Sequence, residues 1–200
     1  MHKTCSYASV KHVTTEARSA PNKRDIILEA TIRVLRDRGL SGLKVEEVAK
    51  EAEVGKGTVY LYFEDKQDLL KALVEYHTMR FYNDAAAISE ENRSFRERLE
   101  RLLARRIDFV AEWRGLWAAV AREADPQGQQ AWLTGLHRRY QGILERFIAS
   151  GIASGELRPE LNVPLTAAAL AAFGCNPQID FPREAYVRQL AEVFMKGVCV

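Results

Sequence analysis

A short stretch from Gly55 to Phe63 carries side chains that could bind a polyanion. It offers one cation, one hydroxyl and two phenols, which belong to Lys56, Thr58, Tyr60 and Tyr62. Such groups bind phosphate oxygens and the edges of nucleic acid bases through ion pairs and hydrogen bonds. If the stretch is helical, Val59 and Phe63 are four residues apart and can anchor its inner face, while the polar groups lie on other faces.

A helix-turn-helix would position these groups against DNA. The spacing of apolar residues predicts a short preceding helix with one face formed by Val45, Val48, Ala49 and Ala52. About three residues join it to a second short helix that starts near Gly55, so the motif spans about 44–63. The second helix of this motif enters the major groove, and its first residues reach base edges. Gly57 costs roughly 1 kcal/mol relative to Ala in a helix, which favours a close backbone approach to DNA.

The segment Lys23–Glu75 resembles the DNA-binding domain of the TetR/AcrR family of transcriptional regulators. The resemblance rests above all on GKGTVYLYFEDKQDLL, which runs from Gly55 to Leu70. Further support comes from Ile27, Ala30, Gly39 and the Val45/Val48-Ala49 face, and the rest of the chain matches in helix layout and in the GELRP loop. The resemblance implies DNA contacts by Lys44, Lys56, Gly57, Thr58, Tyr60, Tyr62 and Lys66.

Each of these contacts has a plainer alternative. Without the motif, Tyr60 and Tyr62 would be interpreted as half-buried packing residues, and Lys56 and Lys66 as ordinary solvated charges. For Lys66 the local physics supports the functional interpretation, because a lysine beside the free N–H groups of a helix start forms a joint anion site.

Two residues depart from the family pattern. Lys44 occupies the position at which the family usually caps the second helix with Thr, and a lysine side chain cannot serve as that cap. Glu53 occupies a turn position that is usually Gly. If the turn requires a positive φ there, Glu53 is strained by roughly 1 kcal/mol.

The remaining pattern predicts an all-α protein of about nine helices, with a three-helix N-terminal helix-turn-helix domain and a C-terminal helical bundle. Residues 1–20 are expected to form a disordered arm, 21–81 the DNA-binding domain and 82–200 the ligand-binding and dimerisation domain. Helix starts are predicted from Asn22, Asp65, a capping box at Ser94–Glu97, Asp125-Pro126, Asn162 and Pro182. The fourth helix is expected to end at about Asp84.

Aromatic side chains are frequent in the second half of the chain. A helical core explains most of them, but three tryptophans within a short segment exceed what a core needs. Because the family binds its inducer among helices 4 to 8, the resemblance makes the following residues candidate ligand contacts: Trp113, Trp117, Trp132, His137 and Phe173. His137 is equally well explained as a surface histidine beside Arg138 and Arg139.

An alanine-rich stretch, 166–172, lies in the eighth predicted helix. Small side chains let another helix approach closely, and internal packing is one explanation. The resemblance supports a different one, in which helices 8 and 9 of two subunits form a four-helix dimer interface.

Composition excludes several other classes. The sequence has no Walker or Rossmann motif, no clustered acid–base pair and no metal-ligand spacing, so we expect neither an enzyme nor a cofactor. The three cysteines indicate free thiols in the cytoplasm, and no apolar run predicts a membrane segment or a secretory signal. The net charge of +2 lies wholly in residues 1–20, since the predicted DNA-binding domain has eleven basic and eleven acidic residues.

The resemblance to the TetR/AcrR family implies a homodimeric, ligand-responsive repressor that binds a palindromic operator in double-stranded DNA. A small-molecule inducer, expected to be lipophilic or aromatic, would release it. An activator, or a regulator without a ligand, would use the same fold. A helical-bundle enzyme that shares the N-terminal fold is the alternative from another class.

Overall fold

A computed structural model describes residues 22–112, 120, 122–124, 131–173 and 182–199, and its regular structure is helical. The helices with complete bounds in these residues are α1 (Lys23–Arg38), α2 (Val45–Glu51), α3 (Lys56–Tyr62), α4 (Lys66–Ser89), α5 (Phe95–Glu112), α6 (Ala131–Ala153), α7 (Val163–Ala172) and α8 (Arg183–Val198). The eighth and ninth predicted helices are therefore α7 and α8. The helical residues 120 and 122–124 belong to the short sixth predicted helix. The all-α fold class is confirmed.

Local side chains define the starts of four helices, as predicted, while the start predicted at Asp125-Pro126 lies outside the described residues. The side chains of Asn22, Asp65 and Asn162 each accept a hydrogen bond from a backbone N–H in the first turn of α1, α4 and α7. The capping box at the start of α5 is reciprocal, because Ser94 Oγ accepts from the Glu97 N–H and a Glu97 carboxylate oxygen accepts from the Ser94 N–H. These bonds satisfy N–H groups that the helix itself leaves unpaired.

Two hydrophobic cores are connected by α4. The first core contains the inner faces of α1, α2 and α3 and the N-terminal part of α4, from Leu69 to Val74. Val120 and Ala124 are buried in this same core. The second core contains α5 to α8 and the later part of α4, from Phe81 to Ala85. A single helix therefore belongs to both packing units.

The structure differs from the prediction at the end of α4. The helix was expected to end at about Asp84 but continues to Ser89. Three alanines follow Asp84, and Ala85 is buried in the second core, so both helix propensity and packing extend the helix by a further turn.

The GELRP loop closes the second core. Leu157 is fully buried and forms an isolated antiparallel bridge with Cys199, at the end of α8. Gly151 lies beneath it, and a Cβ atom there would meet Phe95 Cδ2 at 2.6 Å and Leu157 Cγ at 2.8 Å. A glycine is therefore needed where α6 passes the loop.

Candidate nucleic-acid interface

The helix α3 is attached to the first core by two side chains. Val59 and Phe63 are buried, as their spacing predicts. The Arg24 guanidinium of α1 lies over the Phe63 ring, 5.5 Å from its centroid, and covers the end of the helix. These contacts fix the orientation of α3 without using its other faces.

The outer surface of α3 is polar and open. Lys56, Gly57, Tyr60 and Tyr62 are exposed, and Thr58 is half-buried. A Cβ atom at Gly57 would have no neighbour within 4 Å, so crowding inside the described part of the chain does not explain this glycine. The structure thus places the residues predicted on α3 on one accessible helix.

Lys56 lies between a carboxylate and an aromatic ring. Its Nζ is 2.5 Å from Glu46 Oε1 of α2 and 5.8 Å from the Tyr60 ring centroid. The hydrogen bond to Lys56 lowers the pKa of Glu46, and the same bond raises the pKa of Lys56. Both groups are solvent-exposed and charged, so a phosphate oxygen could replace the carboxylate at little cost.

Lys66 begins α4 and also has an acidic partner. Its Nζ is 3.2 Å from Glu123 Oε1. Glu123 belongs to the segment that places Val120 and Ala124 in the first core. A lysine predicted to hold phosphate is therefore paired with a carboxylate from a part of the chain far away in sequence.

Both departures seen in the sequence lie next to α2, Lys44 at its start and Glu53 in the turn between α2 and α3. Lys44 is exposed at the N-cap of α2 and makes no side-chain capping bond. Glu53 has φ +55°, in the left-handed region, as expected if the turn favours glycine. The turn forms nonetheless, with the Val54 N–H donating to the Ala49 carbonyl at 3.0 Å.

Sequence reasoning missed Leu61, which is 82% exposed on α3. The helical period contains the signal, since Val59 and Phe63 point inward and residue 61 then points outward. An exposed leucine at this place can contact the methyl group of thymine in the major groove.

Of the five predicted ligand contacts, the structure describes the side chains of two, His137 and Phe173. His137 is exposed on α6, and Phe173 is half-buried with its ring edge-on to Phe194, 5.8 Å between centroids. Trp113, Trp117 and the side chain of Trp132 lie outside what the structure describes. The described aromatic core instead lies between α4, α5 and α6, where Phe81 stacks on Phe109 and Tyr82 on Tyr140.

Two observations on the described residues concern metal binding and membrane insertion. No three His, Cys, Asp or Glu side chains among them come together as a metal site requires. Their helices include none whose length and hydropathy would let it cross a membrane.

Comparisons with known proteins agree with this geometry. The family model described as bacterial regulatory proteins, tetR family, matches residues 27–73. A fatty acid metabolism regulator protein from Bacillus subtilis is 27% identical over 142 residues, which is 70% of this chain and 73% of that protein.

Solved structures share the fold over most of the chain. A TetR transcriptional regulator from Streptomyces coelicolor is 25% identical with a TM-score of 0.63, covering 88% of this chain and 98% of its own. The FadR regulator from Bacillus subtilis, solved with stearoyl-CoA, has a TM-score of 0.60 at 21% identity, covering 86% and 97%. Residues 27–73 therefore match the tetR family of bacterial regulatory proteins, and the chain as a whole is similar in fold to transcriptional regulators of the TetR family.

Proposed function

We propose that this regulator is a homodimeric repressor that binds a near-palindromic operator and is released by a small molecule. The observation that carries the proposal is the open outer surface of α3, held on the core by Val59 and Phe63. Residues 21–81 form the DNA-binding domain in this scheme, and 82–200 bind the ligand and the second subunit. Such a regulator acts on the chromosome, which places it in the cytoplasm.

The contacts proposed for DNA divide into two groups. Thr58, Tyr60, Tyr62 and Leu61 face the major groove and contact base edges or the thymine methyl group. Lys44, Lys56 and Lys66 bind phosphates and fix the register, and Gly57 lets the DNA backbone approach. Two copies of α3, about 34 Å apart in a dimer, would occupy successive major grooves.

An exposed apolar stripe supports a dimer through α7 and α8. Leu165 is 69% exposed, and Ala168, Ala169 and Ala172 continue its face at helical spacing. On α8, Val193 is 51% exposed. Large exposed apolar side chains beside small ones favour close packing against another helix pair, and a second copy of this chain completes a four-helix interface.

For the inducer we infer a ligand with a long acyl chain. One relative is named a fatty acid metabolism regulator protein, and the structure of a neighbour in fold was solved with stearoyl-CoA. A ligand with a long acyl chain is one kind of compound within the lipophilic or aromatic class expected from sequence. Contact by Trp113, Trp117, Trp132, His137 and Phe173 stays a prediction.

The path from ligand to DNA runs through α4. Its 24 residues extend about 36 Å, from Lys66 at the DNA-binding end to the second core. Ligand binding favours one position of α4 over another, and release follows only if affinity differs between the two positions.

Footprinting tests the repressor proposal. Purified protein is expected to protect a near-palindromic segment upstream of its own gene or a neighbouring one, and stearoyl-CoA is expected to reverse the protection. If no DNA of any sequence is bound at low salt, the DNA-binding proposal fails. If binding occurs but no lipophilic compound reverses it, only the inducer proposal fails.

A further inference from the structure

A cleft of about 450 Å³ lies between α4 and α6. Tyr82 and Asn83 line it from α4, and Arg138, Arg139, Gly142 and Arg146 line it from α6. The volume is within the range of small-molecule sites in proteins. Sequence reasoning missed this cleft, because it named only Arg138 and Arg139, as neighbours of a surface histidine at position 137.

Within the described part of the chain, the three arginines of the cleft have no acidic partner. In residues 22–112 and the later described segments, no carboxylate lies within 4.0 Å of the guanidinium groups of Arg138, Arg139 or Arg146. Elsewhere arginines pair readily, as Arg105 does with Asp84 at 2.8 Å and Arg183 with Asp108 at 2.5 Å. Three uncompensated positive charges around one cleft form a site of high positive potential.

Gly142 keeps the cleft open. It lies one helical turn from Arg138 and one from Arg146, so the three share a face of α6. Among the described residues, a Cβ atom there would meet only Arg146 Nη1, at 3.7 Å, an ordinary contact. Packing does not require this glycine, and its absent side chain leaves room between the two arginines.

The α4 wall of the cleft offers uncharged donors. Burial raises the pKa of Tyr82 to about 12, so its phenol keeps its proton at neutral pH. Asn83 is exposed and adds an amide. The wall therefore adds hydrogen-bond donors and no negative charge.

We propose that this cleft binds a multiply phosphorylated head group of the inducer. Guanidinium groups bind carboxylate and phosphate in the same bidentate manner. The number of negative charges on the ligand group therefore decides which of the two fits three arginines better. One carboxylate would neutralise one of three arginines, whereas a group with several phosphates neutralises all of them. The proposal rests on the proposed ligand-responsive function and names the polar part of the ligand.

The position of the cleft gives the head group a route to the DNA-binding end. Tyr82 lies 16 residues along α4 from Lys66, a distance of about 24 Å on one continuous helix. A polyanion drawn between α4 and α6 changes the spacing of these helices. Because α4 belongs to both cores, the change reaches Lys66.

The test measures binding of coenzyme A to the full-length protein by calorimetry. Coenzyme A carries a pyrophosphate and a 3′-phosphate. Pantetheine lacks these phosphates and also the adenosine, so adenosine is measured beside it and should bind no more tightly than pantetheine. Wild type is expected to bind coenzyme A at least tenfold more tightly than pantetheine, and added salt or pyrophosphate should weaken that binding. Arg139→Gln with Arg146→Gln should weaken it at least tenfold. Arg96→Gln, on α5 and outside the cleft, is the control and should leave it unchanged.

Operator binding without ligand, measured on the same samples, separates this inference from the proposed function. Equal affinity for coenzyme A and pantetheine, no binding of either, or an unchanged affinity in the double variant would overturn the cleft assignment. A loss of ligand-free operator binding in the double variant, with an unchanged unfolding temperature, would also overturn it, because the arginines would then serve DNA. Gly142→Asp gives a second check, since a carboxylate at that position should abolish coenzyme A binding.

Discussion

Lys66 Nζ lies 3.2 Å from Glu123 Oε1 and joins the first residue of α4 to a segment that packs in the first core. The two side chains are 37% and 46% exposed, so the pair is only partly shielded from water. A lysine neutralised in this way has less charge to offer a phosphate. We therefore expect the pair to hold the DNA affinity of the protein below the value that Lys66 would give without Glu123.

Removing the carboxylate should strengthen DNA binding. Glu123→Gln is expected to raise affinity for operator and random DNA alike, by up to about fivefold per subunit, because an exposed ion pair is worth at most about 1 kcal/mol. Lys66→Ala should weaken binding to both and reduce the slope of log K against log salt by about 0.9 for each phosphate that each subunit no longer neutralises. Fluorescence anisotropy at several salt concentrations measures both effects.

The double variant is the control for this competition. If Glu123 acts through Lys66, the double variant Lys66→Ala with Glu123→Gln should bind DNA no better than Lys66→Ala alone. If Glu123→Gln raises DNA affinity in the Lys66→Ala variant as much as it does in wild type, the carboxylate repels DNA directly.

Leu61 is expected to contribute to sequence selection. Leu61→Ala should weaken operator binding by about 1 kcal/mol, roughly fivefold, and leave random-DNA binding unchanged, because an apolar contact with a thymine methyl group depends on the base. Leu61→Met keeps an apolar side chain of similar size and should retain most of the affinity. An equal loss of affinity for operator and random DNA would contradict base contact.

The parts of the site that could be predicted from the sequence are those decided locally. The caps at Asn22 and Asp65 and the anchors Val59 and Phe63 follow from residue type and helical period, which act within one or two turns. The partner of Lys66 could not be found in this way, since Glu123 is 57 residues distant and periodicity does not say which distant surfaces meet. The cleft arginines were missed for the same reason.

The dimer interface can be tested by charge. Leu165→Glu and Ala168→Glu should each convert the dimer to monomer at micromolar concentration, because each places a carboxylate in the apolar face of α7. Analytical ultracentrifugation measures the change, and operator affinity should fall with it. Ala87→Glu is a matched control, since Ala87 is also exposed but lies on α4. If Ala168→Glu stays dimeric, the pairing uses other helices.

Glu53 should limit the stability of the turn. A left-handed conformation costs a residue with a side chain roughly 1 kcal/mol more than glycine, and Glu53 has φ +55°. Glu53→Gly is expected to raise the free energy of unfolding by about that amount, measured by urea denaturation. Glu53→Ala removes the same carboxylate but keeps the Cβ atom, so it should give no such gain. Equal effects of the two variants would assign the change to charge.

His77 should make the protein sensitive to acid. Its ring stacks on Phe109 at 5.1 Å, and burial, helped by the positive charges of Arg105, Arg80 and Arg36, lowers the pKa of His77 to about 3. The unfolded chain binds this proton near pH 6.5, so the stabilisation is complete above that pH and is lost as the pH falls towards 3.

The His77→Gln variant isolates this effect. As the pH falls from about 5.5 to 4, the free energy of unfolding of the variant should decrease less steeply than that of wild type. The two slopes should differ by about 1.4 kcal/mol per pH unit, because the variant lacks the imidazole that takes up a proton on unfolding. Urea denaturation at each pH, at one fixed protein concentration, gives the two slopes. The variant has a lower stability at pH 7 if the stacked ring also packs better than glutamine, but only the slopes bear on titration. Parallel slopes would show that another group causes the acid sensitivity.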